Sequence, residues 1–189
     1  MLVLASASPR RQELLRNAGL SFVVQPANVD ETPRAGEPPR DYAERLAREK
    51  ALAVWRLRPQ DVVLGADTIV VVDEMILGKP TDAADAARML RLLSGRVHRV
   101  ITGVCMVEAV ASGQLPVASA ASETTLVTMN ELSDEEIRDS VATGEPMDKA
   151  GAYAIQGMAS RWIPRIEGDY TNVVGLPVAL VYAMLRRLP

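Results

Sequence analysis

In the stretch SPRRQELL, residues 8–15, two arginines stand at the start of a helix. Ser8 carries the short hydroxyl side chain favoured at an N-cap and Pro9 suits the first helical position. Leu14, Leu15 and Ala18 continue the pattern until Gly19 ends it. Arg10 and Arg11 are then the second and third helical residues, at the partly positive end of the helix dipole, where an unscreened like charge costs roughly 0.3–1 kcal/mol. Two readings stay open. The guanidinium groups turn to water or to carboxylates such as Glu13, or they converge with the Ser8 hydroxyl and the free backbone N–H groups on an anion such as a phosphate.

Asp67 lies in VVLGADTIVVV, flanked by apolar residues with no cation adjacent in sequence. Burying an unpaired carboxylate costs several kcal/mol, so this residue is paired, caps a break after Gly65, or is held for chemistry. Lys50 falls on the same helical stripe as Ala43, Leu46, Ala47, Ala51 and Val54; it either snorkels to water or serves a site. Lys79 follows Gly78 in LGKP, a place where main chain can approach a ligand and equally an ordinary turn. Glu31 in NVDET is a loop carboxylate or a metal ligand. Gln156 in AIQGM offers an amide that can read the donor and acceptor edge of a nucleobase or can satisfy loop backbone. Trp162 and Tyr170 are assigned to the core or to a hairpin. Cys105 and His98 stand seven residues apart on one expected strand, hence on opposite faces, which rules out a dyad from that strand alone. The sequence has no GxSxG, no P-loop lysine motif and no GxGxxG.

The elements that must place these residues alternate between strands and helices. MLVLA reads as a strand feeding the helix at 9–18, FVVQP as a second strand, and 40–57 as a helix. DVVLGADTIVVVDEMILGKP, 61–80, reads as strand, break, strand and hairpin, and DAADAARMLRLLSG as a helix ending near Gly95. RVHRVITGVCMVEA and ASETTLVTM are longer strands. Ser133 and Glu136 form a capping box opening a helix that stops by Gly144, GDY marks a turn, GLP a helix start, and VALVYAMLRRL a closing apolar helix. The alternation lacks strict βα regularity, which favours an α/β domain on a mixed sheet over a doubly wound parallel one.

Composition narrows the classes. A chain of 189 residues, 48% of them hydrophobic, suits one domain or two small lobes, and no linker stands out. One cysteine and one histidine exclude a disulfide framework and His-rich metal sites. A net charge of −3 lacks the positive sum expected of a protein gripping nucleic acid. No apolar run approaches the roughly 18 residues needed to span a bilayer, and the opening MLVLASASPR lacks the pattern of a signal peptide, so the cytoplasm is the expected location.

Taken together, LASASPRRQELL, VDETP, the lysine in AREKA, GADTIVVVDEMILGKP, LSGRVHRVITGV, EPMDKAGAYAIQG and IEGDYTNVVGLP resemble the Maf family of nucleotide pyrophosphatases, in order and over nearly the whole chain. The resemblance implies a single Maf-like domain, residues 1–189, on an elongated mixed sheet flanked by helices, with a cleft between two lobes. The implied reaction is hydrolysis of a nucleoside triphosphate to the monophosphate and pyrophosphate with a divalent cation, Mg²⁺ or Mn²⁺. By motif match, Asp67 is the catalytic aspartate and, with Glu31, a metal ligand; Ser8, Arg11, Lys50 and Lys79 face the phosphates; and Arg10, Thr68 and Gln156 set specificity. That Arg, Thr, Gln set looks like the members acting on dTTP and UTP. A sister group preferring 7-methyl-GTP carries an aromatic residue, Gln and Glu at these places. A homodimer is the family expectation. A regulator of cell division acting through a partner is the alternative from another class, and it leaves the polar residues unexplained.

Overall fold

The computed structural model describes residues 1–108 and 116–188. Short apolar runs form β1 (Leu2–Leu4), β2 (Val23–Val24), β3 (Val62–Val72), β4 (Met75–Leu77), β5 (Val97–Glu108), β6 (Val117–Thr128) and β7 (Arg165–Glu167). The helices are α1 (Pro9–Asn17), α2 (Pro39–Trp55), α3 (Ala83–Leu93), α4 (Asp134–Ala142), α5 (Tyr170–Val174) and α6 (Val178–Leu185). Three 3₁₀ turns, Glu145–Asp148, Ala150–Ala152 and Met158–Arg161, fill the segment after α4. The strands make one sheet in the order β2-β1-β3-β5-β6-β7, with β4 also pairing β3. β1 runs parallel to both β2 and β3, whereas β4 is antiparallel to β3 and β7 to β6, so the sheet is mixed, as the irregular alternation predicts.

Most expected elements form within a residue or two, including the Ser133–Glu136 capping box. Ala109, expected to end the β5 strand, lies outside the described residues. Two expectations need correction. No break follows Gly65: β3 runs unbroken through Asp67 to Val72, and the chain reverses at Asp73 and Glu74, which hold positive φ angles of 47° and 62°. Tyr170 is neither core nor hairpin, since it opens the five-residue helix α5 and is 46% exposed. The 3₁₀ turns and α5 have too few residues to show a period in the sequence.

The chain divides into two compact units: Met1–Thr68 with Thr102–Glu123 and Gly175–Pro189, and Ile69–Ile101 with Thr124–Val174. In the first, strand pleating sorts alternate residues onto two apolar layers. Leu4, Leu64, Ala66, Val104 and Met106 pack with Leu15 of α1 and Val181 and Met184 of α6. Val3, Ala5, Val63, Cys105 and Val107 pack with Ala47, Ala51 and Val54 of α2. Strands covered on both faces read as continuous apolar runs, which is why periodicity alone could not orient them. Helix α2 lies against the sheet at backbone distance. A Cβ on Gly65 would stand 2.1 Å from the Ala47 carbonyl oxygen, and one on Gly103 would stand 2.3 Å from the Ala43 carbonyl.

The second unit is built around Leu90, Leu93, Val127, Met129, Ile137 and Trp162, and α3 packs on α4. The Trp162 indole N–H donates to Glu136 Oε1 at 3.0 Å, so the residue that completes the α4 capping box also holds this buried ring. His98, 2% exposed, shares a 2.7 Å hydrogen bond between Nε2 and the Tyr153 hydroxyl, and its Nδ1 has no partner among the described residues. Burial pushes the His98 imidazole down from 6.5 to about 4. Below pH 6.5 the unfolded chain takes up the proton that the folded one refuses, so stability is full above that value and falls as the pH drops toward 4. The shift corresponds to a loss on the order of 3 kcal/mol. Denaturant unfolding between pH 7 and 4 should show this decline, and His98→Gln, which does not titrate, should flatten it.

Candidate active site

Asp67 occupies the α2-facing side of β3, two residues beyond Gly65 and 8% exposed. Because α2 packs so closely there, Lys50 on its buried stripe reaches across, and its Nζ donates to Asp67 Oδ1 at 2.6 Å. The same ammonium lies 2.7 Å from Glu31 Oε1, so two carboxylates meet on one cation. The expected missing partner of Asp67 is therefore supplied through space, seventeen positions away along the chain. Burial raises the Asp67 carboxyl above its usual value, and the charges of Lys50 and Arg11 pull it back down. Burial remains the larger influence, and a carboxyl raised in this way suits a group that accepts a proton.

The next residue, Thr68, points to the opposite face, where α1 lies. Ser8 caps α1 as expected, accepting from the Arg11 backbone N–H at 3.4 Å. No acidic residue stands in the first turn. The Arg11 guanidinium turns inward instead. Nε donates to the Gly175 carbonyl at 2.8 Å, Nη1 to Ser6 Oγ at 3.1 Å and to the Ala66 carbonyl at 2.9 Å, and Nη2 to Thr68 Oγ1 at 3.0 Å. Four of its five N–H donors thus end on protein oxygens. The Thr68 hydroxyl also lies 2.9 Å from Thr102 Oγ1 and 3.1 Å from the Gly175 carbonyl. Burial lowers the Arg11 guanidinium from its ordinary value while the Asp67 charge raises it, and it stays cationic. Arg10 sits half-buried beside it.

Glu31 belongs to a segment with no regular secondary structure between β2 and α2. Its carbonyl accepts the Tyr42 hydroxyl at 2.7 Å, and Arg45 Nη2 donates to the neighbouring Thr32 carbonyl at 3.2 Å. Arg45 also forks onto Glu37 at 2.6 and 2.8 Å. Burial, reinforced by the Asp67 and Glu31 charges, pushes the Tyr42 phenol up to about 12, so it remains a donor. Neither Tyr42 nor Arg45 was singled out from sequence. The available signal was a tyrosine on an otherwise apolar stripe, whose hydroxyl needs a partner when the ring is buried.

Lys79 and Gln156 lie in the other unit. Both are exposed, Lys79 just past β4 and Gln156 in the turn where the Gly157 N–H meets the Ala154 carbonyl at 3.0 Å. The Gly78 carbonyl before Lys79 accepts the Gly151 N–H at 3.0 Å, tying the lysine's turn to the segment that leads to Gln156. Cys105 is fully buried with its thiol pushed up to about 11, and His98 is committed to Tyr153, so neither offers a nucleophile or base.

A family model described as Maf-like protein matches residues 1–188. A dTTP/UTP pyrophosphatase of Koribacter versatilis is 61% identical over 98% of this chain and 93% of its own length. Proteins of the same description from a Geobacter species and from Anaeromyxobacter dehalogenans are 53% and 54% identical, over 98% of this chain and 94% and 93% of theirs.

Arg11 is the test of how this face is held. Lysine in its place keeps the charge but cannot fork to carbonyls and hydroxyls at once. Arg11→Lys should lower stability by about 2–3 kcal/mol in denaturant unfolding, because buried carbonyl oxygens lose charged donors.

Proposed function

This chain belongs to the Maf family, and from that membership we propose that it hydrolyses dTTP and UTP, or modified pyrimidine triphosphates, to the nucleoside monophosphate and pyrophosphate. The observation that carries the reading is the buried Asp67 carboxylate, held by Lys50 beside Glu31. Water attacks the α-phosphorus, its proton passes to Asp67, and the bond to the bridging oxygen breaks so that pyrophosphate leaves. The Lys50 ammonium, already desolvated among carboxylates, offsets charge on the phosphates. Ser8, Arg11 and Lys79 join it by motif match. With four donors spent on protein oxygens, Arg11 contributes mainly through its charge.

A divalent cation fits these residues. Asp67 and Glu31 place oxygens within 2.7 Å of one ammonium, so both already converge on a single positive charge. Among the described residues no three His, Cys, Asp or Glu side chains form a metal-holding group, which leaves the other positions to phosphate oxygens and water, as Mg²⁺ prefers. Mg²⁺ or Mn²⁺ held by Asp67 and Glu31 would neutralise triphosphate charge and polarise its phosphorus–oxygen bonds.

Base choice falls to Gln156 with Arg10 and Thr68. A uracil or thymine edge presents acceptor, donor, acceptor, and a neutral amide supplies both a donor and an acceptor to two adjacent positions. An ionised carboxylate at 156 would suit the donor edge of guanine instead. The reading places the reaction in the cytoplasm, as a homodimer, with a nucleoside triphosphate as its partner and no nucleic acid. It is supported on the first point by the lack, among the described residues, of any helix long and apolar enough to cross a membrane.

Asp67→Asn should lower turnover of UTP by roughly 100-fold or more at saturating metal, and wild-type rates there would remove Asp67 as the base. In a panel of triphosphates compared by kcat/KM, dTTP and UTP should exceed GTP and 7-methyl-GTP. Gln156→Glu should shrink that margin by about 10-fold or more. A best value for 7-methyl-GTP would overturn the base assignment.

A further inference from the structure

We propose that Tyr42 and Arg45 are positioning residues for this reaction, fixing the Glu31 segment from helix α2 so that its carboxylate meets the cation beside Asp67. The inference rests on the role assigned to Glu31 in holding that cation.

The Glu31 side chain is 55% exposed and its segment lies outside every strand and helix. Such a carboxylate samples many positions unless its main chain is tied, and the ties seen here come from one helix. Tyr42, 7% exposed, spends its hydroxyl on the Glu31 carbonyl itself at 2.7 Å. One turn further, Arg45 bonds the Thr32 carbonyl at 3.2 Å and grips Glu37 with both arms of its fork, and its guanidinium carbon sits 5.3 Å from the centre of the Tyr42 ring. Thr32 is itself turned by Asp30, whose Oδ1 accepts the Thr32 N–H at 2.9 Å and its hydroxyl at 2.6 Å. Eight residues after Tyr42 on the same buried stripe, Lys50 meets the other end of Glu31, its carboxylate. A single rigid element therefore holds Glu31 by its carbonyl and by its carboxylate, and the same element sets Lys50 against Asp67. Preorganisation of this kind lowers what must be ordered when the cation and substrate arrive.

The test reads Mn²⁺ binding directly, from the paramagnetic resonance of free Mn²⁺ without nucleotide, alongside UTP turnover as a function of metal. Tyr42→Phe removes one hydrogen bond and keeps the ring. It should weaken Mn²⁺ binding roughly 10-fold while kcat at saturating metal stays within about 2-fold of wild type. Arg45→Lys, which keeps the charge over the ring and loses the fork, should move the same quantity in the same direction; it carries the test if Tyr42→Phe does not fold. In a Glu31→Gln background, where the carboxylate being placed is gone, Tyr42→Phe should add less than about 2-fold, because the two residues act as one unit. Unchanged Mn²⁺ binding in Tyr42→Phe, with Glu31→Gln impaired, overturns the proposal and leaves the role of Glu31 standing. Equal weakening by Tyr42→Phe in both backgrounds also overturns it, since that is a general loss of structure. Unchanged Mn²⁺ binding in Glu31→Gln alone removes the assigned role of Glu31 and the proposal with it.

Discussion

Helix α2 touches the sheet through bare backbone. At Gly65 and Gly103 the strands carry no side chain, and the carbonyls of Ala47 and Ala43 occupy the space that a Cβ would fill. Side chains ordinarily interdigitate to fill the space between packed elements. Here two missing methyl groups draw the helix inward, and the consequence is chemical. A lysine on the buried stripe now ends within hydrogen-bonding distance of an aspartate on the strand, where a wider gap would leave each charge to water or to an unfavourable burial. Smaller alanines at 43, 47 and 51 continue the same design on the helix side.

The pleat divides the labour between neighbouring residues. Asp67 and Thr68 are adjacent in sequence and face opposite layers. One meets Lys50, which also holds Glu31; the other meets Arg11, Thr102 and the Gly175 carbonyl. Arg11 also grips the Ala66 carbonyl, so the strand is clamped immediately before Asp67 from one side while Lys50 holds the Asp67 carboxylate from the other. The electrostatic coupling of Arg11 to Asp67 passes through the strand without a direct contact, which lets one cation stiffen the site and bias the carboxylate together.

Much of this was legible in the residues. The helix start at Ser8 and Pro9, the α2 stripe with Lys50 on it, the capping box and the long strands all follow from local spacing, and the sum of motifs identified the family. What was not legible came from through-space relations. Gly65 looked like a strand break because glycine weakens strands, yet its purpose is to admit a helix backbone. The arginine pair at a helix start left water, carboxylates or an anion open, while Arg11 finds its acceptors among backbone carbonyls and hydroxyls that no pattern displays. Tyr42 and Arg45 resembled ordinary helix residues because their partners, the Glu31 and Thr32 carbonyls, belong to a segment with no periodicity to read. The 3₁₀ turns around Gln156 are set by short-range backbone bonds and by glycines, and a hydropathy pattern does not register them.

The Arg11–Gly175 hydrogen bond joins residues 164 positions apart. Asp67, Lys50, Glu31 and Arg11 all leave the ribosome early, in the first seventy residues, whereas the carbonyl that completes the Arg11 cluster is synthesised more than a hundred residues later. Until then the guanidinium lacks one acceptor and Thr68 lacks another, and α6, which covers that face of the sheet, has not yet been made. During translation, which proceeds at about 5–20 residues per second, the Asp67 carboxylate therefore exists for several seconds on an unfinished support. A nascent chain, or one cut short before Gly175, carries Asp67, Lys50 and Glu31 without the carbonyl on which Arg11 and Thr68 close.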